Sequence, residues 1–180
     1  MDDIAGDGVD FTAFINGQEW RVAWFPPPDA PPGTPHGAEA VCVAGDRIVV
    51  ISGDGQRWGL PAGRPEGQEQ WVDTMRREVR EEACAEVSEC RLLGFSRGLC
   101  IGGPQEGLVL VRSMWRAEVR TAAWAPRFEM AHRRLLPPDQ AFRSLTVPHG
   151  LGPFYRRLFT EAAVPLPASA TSDECRRDVE

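Results

Sequence analysis

One stretch constrains this chain more than any other. Between Gly63 and Ala85 it reads GRPEGQEQWVDTMRREVREEACA. A glycine- and proline-bearing loop runs into a segment whose apolar residues, Val72, Met75, Val79 and Ala83, recur at intervals of three and four. That spacing predicts a helix from about Glu69 to Ala85 with one face in a core. Glu78, Glu81 and Glu82 fall on a different arc. At about 100° per residue, Glu82 sits about 40° from Glu78, and Glu81 about 60° to its other side. Like charges this close on a helix cost about 0.2–0.5 kcal/mol per pair, a penalty that a bound cation reverses.

The chemistry that suits such a patch is narrow. Hard divalent cations take oxygen ligands, and Mg²⁺ keeps several waters in octahedral geometry. A cation held by these carboxylates can neutralise a pyrophosphate and help ionise an attacking water. The glycines before the helix permit close backbone approach, and the helix N-terminus adds a weak positive dipole.

The same stretch resembles the Nudix box. Gly63 matches its first glycine, Glu69 its first glutamate, Arg77-Glu78 its Arg-Glu pair, Val79 its aliphatic position and Glu81-Glu82 its Glu-Glu pair. Two positions depart from the pattern: Cys84 stands where a second glycine is expected, and Ala85 is a weak aliphatic. At this chain's own residue frequencies, chance would produce the six glycine and charged positions with a probability on the order of 10⁻⁴. The resemblance spans about Ala38 to Leu145 at the level of fold and is sharp across Leu60 to Ala85.

That resemblance implies an α/β class fold, a Nudix-like α/β/α sandwich with a mixed, partly antiparallel sheet. The box helix packs on one face and a terminal helix covers the other. It implies a Mg²⁺-dependent (or Mn²⁺-dependent) hydrolase that cleaves a phosphate anhydride in a nucleoside diphosphate linked to another moiety. Glu78 and Glu82 are the expected principal metal ligands, with Glu81 as a further ligand and the Ala62 carbonyl as the backbone ligand. Glu69 and Arg77 are expected to hold the glutamates in place. The general base is a box glutamate or a later acid; Glu129 is the candidate by position, with Glu106 and Glu118 as alternatives. Glu66 fits a structural or an outer metal-site role equally. Cys84 reads as a small, soft residue packed at the helix end; the alternative is that it weakens the helix stop, since glycine normally supplies a left-handed cap. Arg97, Trp115, Phe128 and Tyr155 are candidates to contact a substrate base, although packing suits each as well. Nothing outside the box names the substrate. The rival readings are a nucleotide-sensing binding module of the same fold and a related enzyme using a catalytic cysteine.

The rest of the chain frames this site. Residues 1–10 and 165–180 read as flexible tails, 11–37 as an N-terminal hairpin and Pro-rich connector, and 38–164 as the main domain. FTAFI and EWRVAWF flank the turn signal Asn16-Gly17. Pro26 to Gly37 reads as a connector unable to form a central strand. AEAVCVA, RIVVIS, a short QRWGLP, CRLLGFSRGLCI, GLVLVRSMWRAEV and AHRRLL read as strands. Helices are expected after Pro137-Pro138-Asp139 and from Pro153 to Ala163.

The balance of charge limits the partners. Acidic residues number 26 against 20 basic ones, all arginine, for a net charge of −6. A nucleic-acid polymer usually demands a basic face; a small phosphorylated nucleotide does not, because metal can supply the local charge. Without lysine there is no Walker lysine and no Schiff base. Five scattered cysteines with no CxxC pair suit reduced thiols in a cytoplasm better than zinc or a disulfide framework. The acidic start lacks a leader's apolar core, and no apolar run is long enough for a bilayer. A homodimer is expected by analogy with the family.

Overall fold

The computed structural model describes residues 9–167 and 176–177. The expected tail residues 1–8, 168–175 and 178–180 lie outside them. The expected hairpin forms at Asn16-Gly17. Its strands β1 (Asp10–Ile15) and β2 (Gln18–Phe25) pair in antiparallel register. Asn16 and Gly17 both take positive φ, at 51° and 69°, as a tight two-residue hairpin turn requires.

The next strand corrects an expectation. β3 (Thr34–Ala44) begins inside the segment read as a connector, and Thr34 to Gly37 already pair in parallel with β7 (Val109–Thr121). Pro35 is accommodated because the register shifts between Pro35 and Gly37, and a bulge spares a proline the missing ladder donor. β4 (Arg47–Ser52) follows across the Gly45 turn. The expected QRWGLP strand does not form. Ile51 and Gly59 exchange two backbone hydrogen bonds (3.0 and 2.9 Å), while Asp54 accepts from the N–H groups of Gln56 and Arg57 and bends the chain back. The two-residue β5 (Ala62–Gly63) instead lies against β3.

The helix α1 covers Trp71–Ala83, two residues shorter at each end than its periodicity suggested. β6 (Ala85–Gly102) leaves it at once and pairs with β7. β8 (His132–Leu136), α2 (Pro138–Ser144), β9 (Thr146–Val147) and α3 (Gly152–Glu161) complete the domain. Within the expected C-terminal tail, β10 (Arg176–Arg177) pairs in parallel with β9.

The main sheet runs β1-β2-β6-β7-β3-β4-β8, antiparallel throughout except at β3–β7. Alternation along β3 assigns its two faces. Ala38, Ala40 and Cys42 join Val49, Ile51, Trp115 and Ala117 under Met75, Val79 and Ala83 of α1. These small strand residues let the helix sit close. Val41 and Val43 point the other way, into a larger core of Trp20, Trp24, Phe142, Phe154, Leu158 and Phe159 beneath α2 and α3. The expected sandwich with a mixed sheet is the fold observed. Among the described residues no helix is long and apolar enough to cross a membrane.

Candidate functional site

α1 ends where the box pattern calls for its second glycine. Cys84 takes that left-handed conformation itself (φ 47°, ψ 53°) and the helix stops there. The stop is not weakened, because neighbouring groups hold the turn. Arg133 donates to the carbonyls of Ala83 (2.7 Å) and Cys84 (3.1 Å), and the Ala122 N–H donates to the Cys84 carbonyl (2.8 Å). A cation at the helix C-terminus also suits the dipole.

Upstream, Arg77 organises the carboxylates. Its Nε and Nη2 donate to Glu69 (2.8 and 3.0 Å), and its Nη1 to Glu78 (2.7 Å) and Glu81 (3.2 Å). Nη2 also reaches the Arg64 carbonyl (2.7 Å), which ties the loop to the helix. Glu69 further accepts from the Glu66 N–H and the Thr74 hydroxyl. The Arg77 guanidinium and these donors pull the Glu69 carboxyl down to about 2. Glu66 is exposed and lies 3.8 Å from Arg77.

Glu78 and Glu82 sit deeper. Both are buried, and Glu82 Oε2 accepts from the Ala62 N–H at 2.9 Å. Gly63 must be glycine in this arrangement, since a Cβ there would overlap the Glu78 carboxylate. Burial pushes the Glu82 carboxyl up to about 8, with Glu78, Glu129 and Glu39 adding to the rise. Burial likewise raises Glu78, and its Arg77 partner only partly offsets that. The cluster sets four carboxyls, Glu69, Glu78, Glu81 and Glu82, around one guanidinium, and the two deepest hold their protons more tightly than a free carboxyl.

Glu129, on the loop between β7 and β8, faces this cluster closely enough to raise both Glu78 and Glu82. The other two candidates for the base lie elsewhere. Glu118 pairs with Arg116 on the opposite face of the sheet, where Arg116 also meets the Ala162 carbonyl. Glu106 is exposed in the β6–β7 turn.

The donors fit a hard cation: they are carboxyl oxygens on one rigid helix, those of Glu78 and Glu82 buried, and a cation favours their ionised form. As the side chains stand, no three His, Cys, Asp or Glu groups among the described residues form a compact metal-holding set. Glu78 and Glu81 are engaged by Arg77 and Glu82 by Ala62. Ala62 meets the cluster through its N–H, whereas the box resemblance assigned its carbonyl.

The four candidate base contacts separate. Tyr155 donates its hydroxyl to Glu39 at 3.0 Å and lines a cavity of about 530 Å³. Trp115 packs under α1 and donates to Ser113, Arg97 donates to the Pro32 carbonyl, and Phe128 is exposed beside Glu129. The cavity lies on the α3 side of the sheet and does not include Glu78, Glu81 or Glu82. Arg64 and Glu39 connect the two regions. Glu39, His36 and Arg112 in that cavity were not singled out from the sequence. The available signal was Glu39 itself, the one acid inside the apolar run AEAVCVA.

The family profile described as NUDIX domain matches residues 34–158. This chain belongs to the Nudix family. Among curated proteins no sequence match was found. Solved structures share the fold. The Bacillus subtilis pyrophosphohydrolase BsRppH, solved as a point mutant, is 17% identical with a TM-score of 0.64, over 87% of this chain and 99% of that one. A NUDIX hydrolase from Nitrosomonas europaea is 17% identical with a TM-score of 0.55, over 77% and 96%. The NUDIX domain of Shewanella oneidensis NrtR, solved with ADP ribose, is 14% identical with a TM-score of 0.51, over 74% and 88%. The box read at Gly63 to Ala85 falls within the matched region.

Proposed function

We propose that this Nudix chain is a Mg²⁺-dependent (or Mn²⁺-dependent) hydrolase that cleaves a phosphate anhydride in a nucleoside diphosphate linked to another moiety. The observation that carries this reading is the set of Glu78 and Glu82, both buried, and the half-buried Glu81 on one helix, three carboxyls beside one guanidinium, with Gly63 leaving room for the Glu78 carboxylate. Glu78 and Glu82 are the principal oxygen donors for the ion and Glu81 a further one. The Ala62–Gly63 segment supplies backbone beside them. An ion held there would supply charge neutralisation for the pyrophosphate and a lowered pKa for a water.

The remaining steps fall to the chain. Arg77 holds Glu78 and Glu81 by hydrogen bonds and is itself fixed by Glu69, so the donors are oriented before any ligand arrives. Glu129 is the general base: of the three later acids, it alone faces the cluster. The four described cysteines near the core and at the helix end are free thiols, which suits a reducing compartment such as the cytoplasm.

The test is phosphate release from nucleoside triphosphates, dinucleoside polyphosphates, nucleotide sugars and ADP-ribose with Mg²⁺, beside an EDTA control and Glu82→Gln. Cleavage that needs metal and disappears in the variant supports the reading. Nucleotide binding without cleavage of any compound would replace it with a sensing module.

A further inference from the structure

The glutamates of α1 are faced by an acid from a distant part of the chain. Glu129 lies on the loop between β7 and β8, residues 122–131, and acts electrostatically on both Glu78 and Glu82. No helix or strand forms within this loop, and Phe128 and Glu129 are exposed. A surface loop without structure of its own needs outside contacts to hold one side chain in place.

Arg133 clamps the start of the loop. Its guanidinium donates to the Ala122 carbonyl at 3.0 Å, where the loop begins, and to the carbonyls of Ala83 (2.7 Å) and Cys84 (3.1 Å), where α1 ends. It also lies 5.1 Å from the ring centre of Trp124 in the loop. The Ala122 N–H closes the joint by donating to the Cys84 carbonyl at 2.8 Å. A planar guanidinium can serve several carbonyls and a ring face at once, a fork that an ammonium lacks. Glu82 sits on the last turn of α1. One side chain thus ties the helix end that carries Glu82 to the loop that carries Glu129.

The end of the loop is seated on β4. The Ala131 N–H donates to the Ser52 carbonyl at 3.1 Å, and Met130 packs against the core beneath α1. Gly53 leaves room beside them: a Cβ there would meet the Glu129 carbonyl oxygen at 3.2 Å, tighter than an ordinary contact.

We propose that Arg133 and Gly53 are positioning residues, which fix the β7–β8 loop at its two ends so that Glu129 stands across from Glu78 and Glu82. Neither touches the reacting atoms; both act through Glu129. The inference rests on the hydrolase reading only for what Glu129 does there, since the clamp itself is measured without turnover.

The experiment uses the full chain. It follows Mg²⁺-dependent release of phosphate from the best-cleaved member of the nucleotide panel, Mn²⁺ binding, and amide exchange by NMR in EDTA. Arg133→Ala should lower kcat by on the order of 10²-fold and leave KM within about twofold, as misplacement of a catalytic group does. Gly53→Val, the second variant should Arg133→Ala fail to fold, should lower kcat about tenfold. Arg133→Lys should recover only part of the loss. The deciding comparison is with Glu129→Gln: adding Arg133→Ala to it should lower kcat no further, because both changes remove one function. Mn²⁺ affinity should be unchanged in Arg133→Ala and Gly53→Val. The Ala122 amide should exchange at least about tenfold faster in Arg133→Ala, while the α1 amides of Met75 and Val79 keep their rates.

An unchanged kcat in Glu129→Gln, a double variant slower than Glu129→Gln by the full Arg133→Ala factor, or an Ala122 amide no faster in Arg133→Ala would overturn the proposal. So would weakened Mn²⁺ binding in Arg133→Ala, which would put its effect on the glutamates themselves. Faster Ala122 exchange with unaltered Mn²⁺ binding, but no Mg²⁺-dependent cleavage of any panel member by the unaltered chain, would support the clamp and overturn the hydrolase reading instead.

Discussion

On the α1 face of the sheet, the glutamate cluster and its arginine come from one short stretch of chain; on the α3 face the polar and aromatic residues of the cavity come from several separate places. Glu69, Arg77, Glu78, Glu81 and Glu82 all lie within one loop and helix, and their geometry follows from helical spacing and one arginine. The chamber on the other face draws Trp20 from β2, His36 and Glu39 from β3, Arg112 from β7, Tyr155 from α3 and Arg64 from the segment after β5. The two regions also differ in balance. The glutamates are in surplus over their cation, while Glu39 is matched by Arg112 and a tyrosine hydroxyl. The glutamate cluster is local in sequence, and the chamber is assembled by the fold.

The sharpest way to break that comparison is to neutralise one glutamate. Glu82→Gln should lower metal-dependent phosphate release by on the order of 10³-fold, since metal sites supply several kcal/mol of transition-state stabilisation. Its thermal melt in EDTA should stay folded. An equal loss from a chamber substitution alone would erase the distinction between the faces.

Next in size is the core. The α3 face buries large rings and the α1 face mostly small side chains. Phe159→Ala, fully buried beside Phe142, should cost about 3–5 kcal/mol. The cost should appear as a lower denaturant midpoint at unchanged slope. Met75→Ala, under α1, should cost about 2–5 kcal/mol.

These differences explain what could be read before folding. The box was legible because helical periodicity is a local property: Val72, Met75, Val79 and Ala83 fix a face, and that fixes where the glutamates fall. Most strands and the covering helices were legible from residue patterns and from the prolines that start α2 and α3, while the mixed sheet followed from the family resemblance alone. The long β3 was hidden because Pro35 argues against a central strand, and only a partner in β7 with a register shift admits it. QRWGLP misled because its apolar residues serve two isolated bridges, Ile51–Gly59 and Trp58–Leu145, in place of a ladder. Glu39, Arg112 and His36 could not be grouped, since no spacing along the chain brings β3 beside β7.

A smaller effect tests the burial of Glu82 among other carboxyls. In the fold, Glu82 holds its proton up to about pH 8, above the value of an unfolded carboxyl near 4.5. The folded state therefore binds more protons across that window. Its contribution to stability is full below about pH 4.5 and is lost as pH rises through 8. In EDTA the melting temperature should fall across this range, and Mg²⁺ should reduce the fall because the ion binds the ionised form. A melting temperature independent of pH from 5 to 9, with or without metal, would contradict the buried, proton-holding Glu82.

The smallest effect is at the helix stop. Cys84 holds a left-handed conformation that costs a residue with a Cβ about 1–2 kcal/mol. Glycine removes that cost and adds unfolded-state freedom, so Cys84→Gly should stabilise the fold by about 1 kcal/mol or less. A rise of about 2–4 °C in melting temperature is the corresponding shift. A fall would mean that the thiol contributes packing the left-handed turn does not reveal.

The most direct measurement is a Mn²⁺ titration followed by the loss of the free-ion electron paramagnetic resonance signal. It would use the unaltered chain, Glu78→Gln, Glu82→Gln and the chamber variant Arg112→Ala. The unaltered chain and Arg112→Ala should bind Mn²⁺, with binding weakened at least about tenfold in each glutamine variant. Binding that persists unchanged in both glutamine variants, or that disappears with Arg112→Ala, would contradict the assignment of the metal to the glutamates of α1.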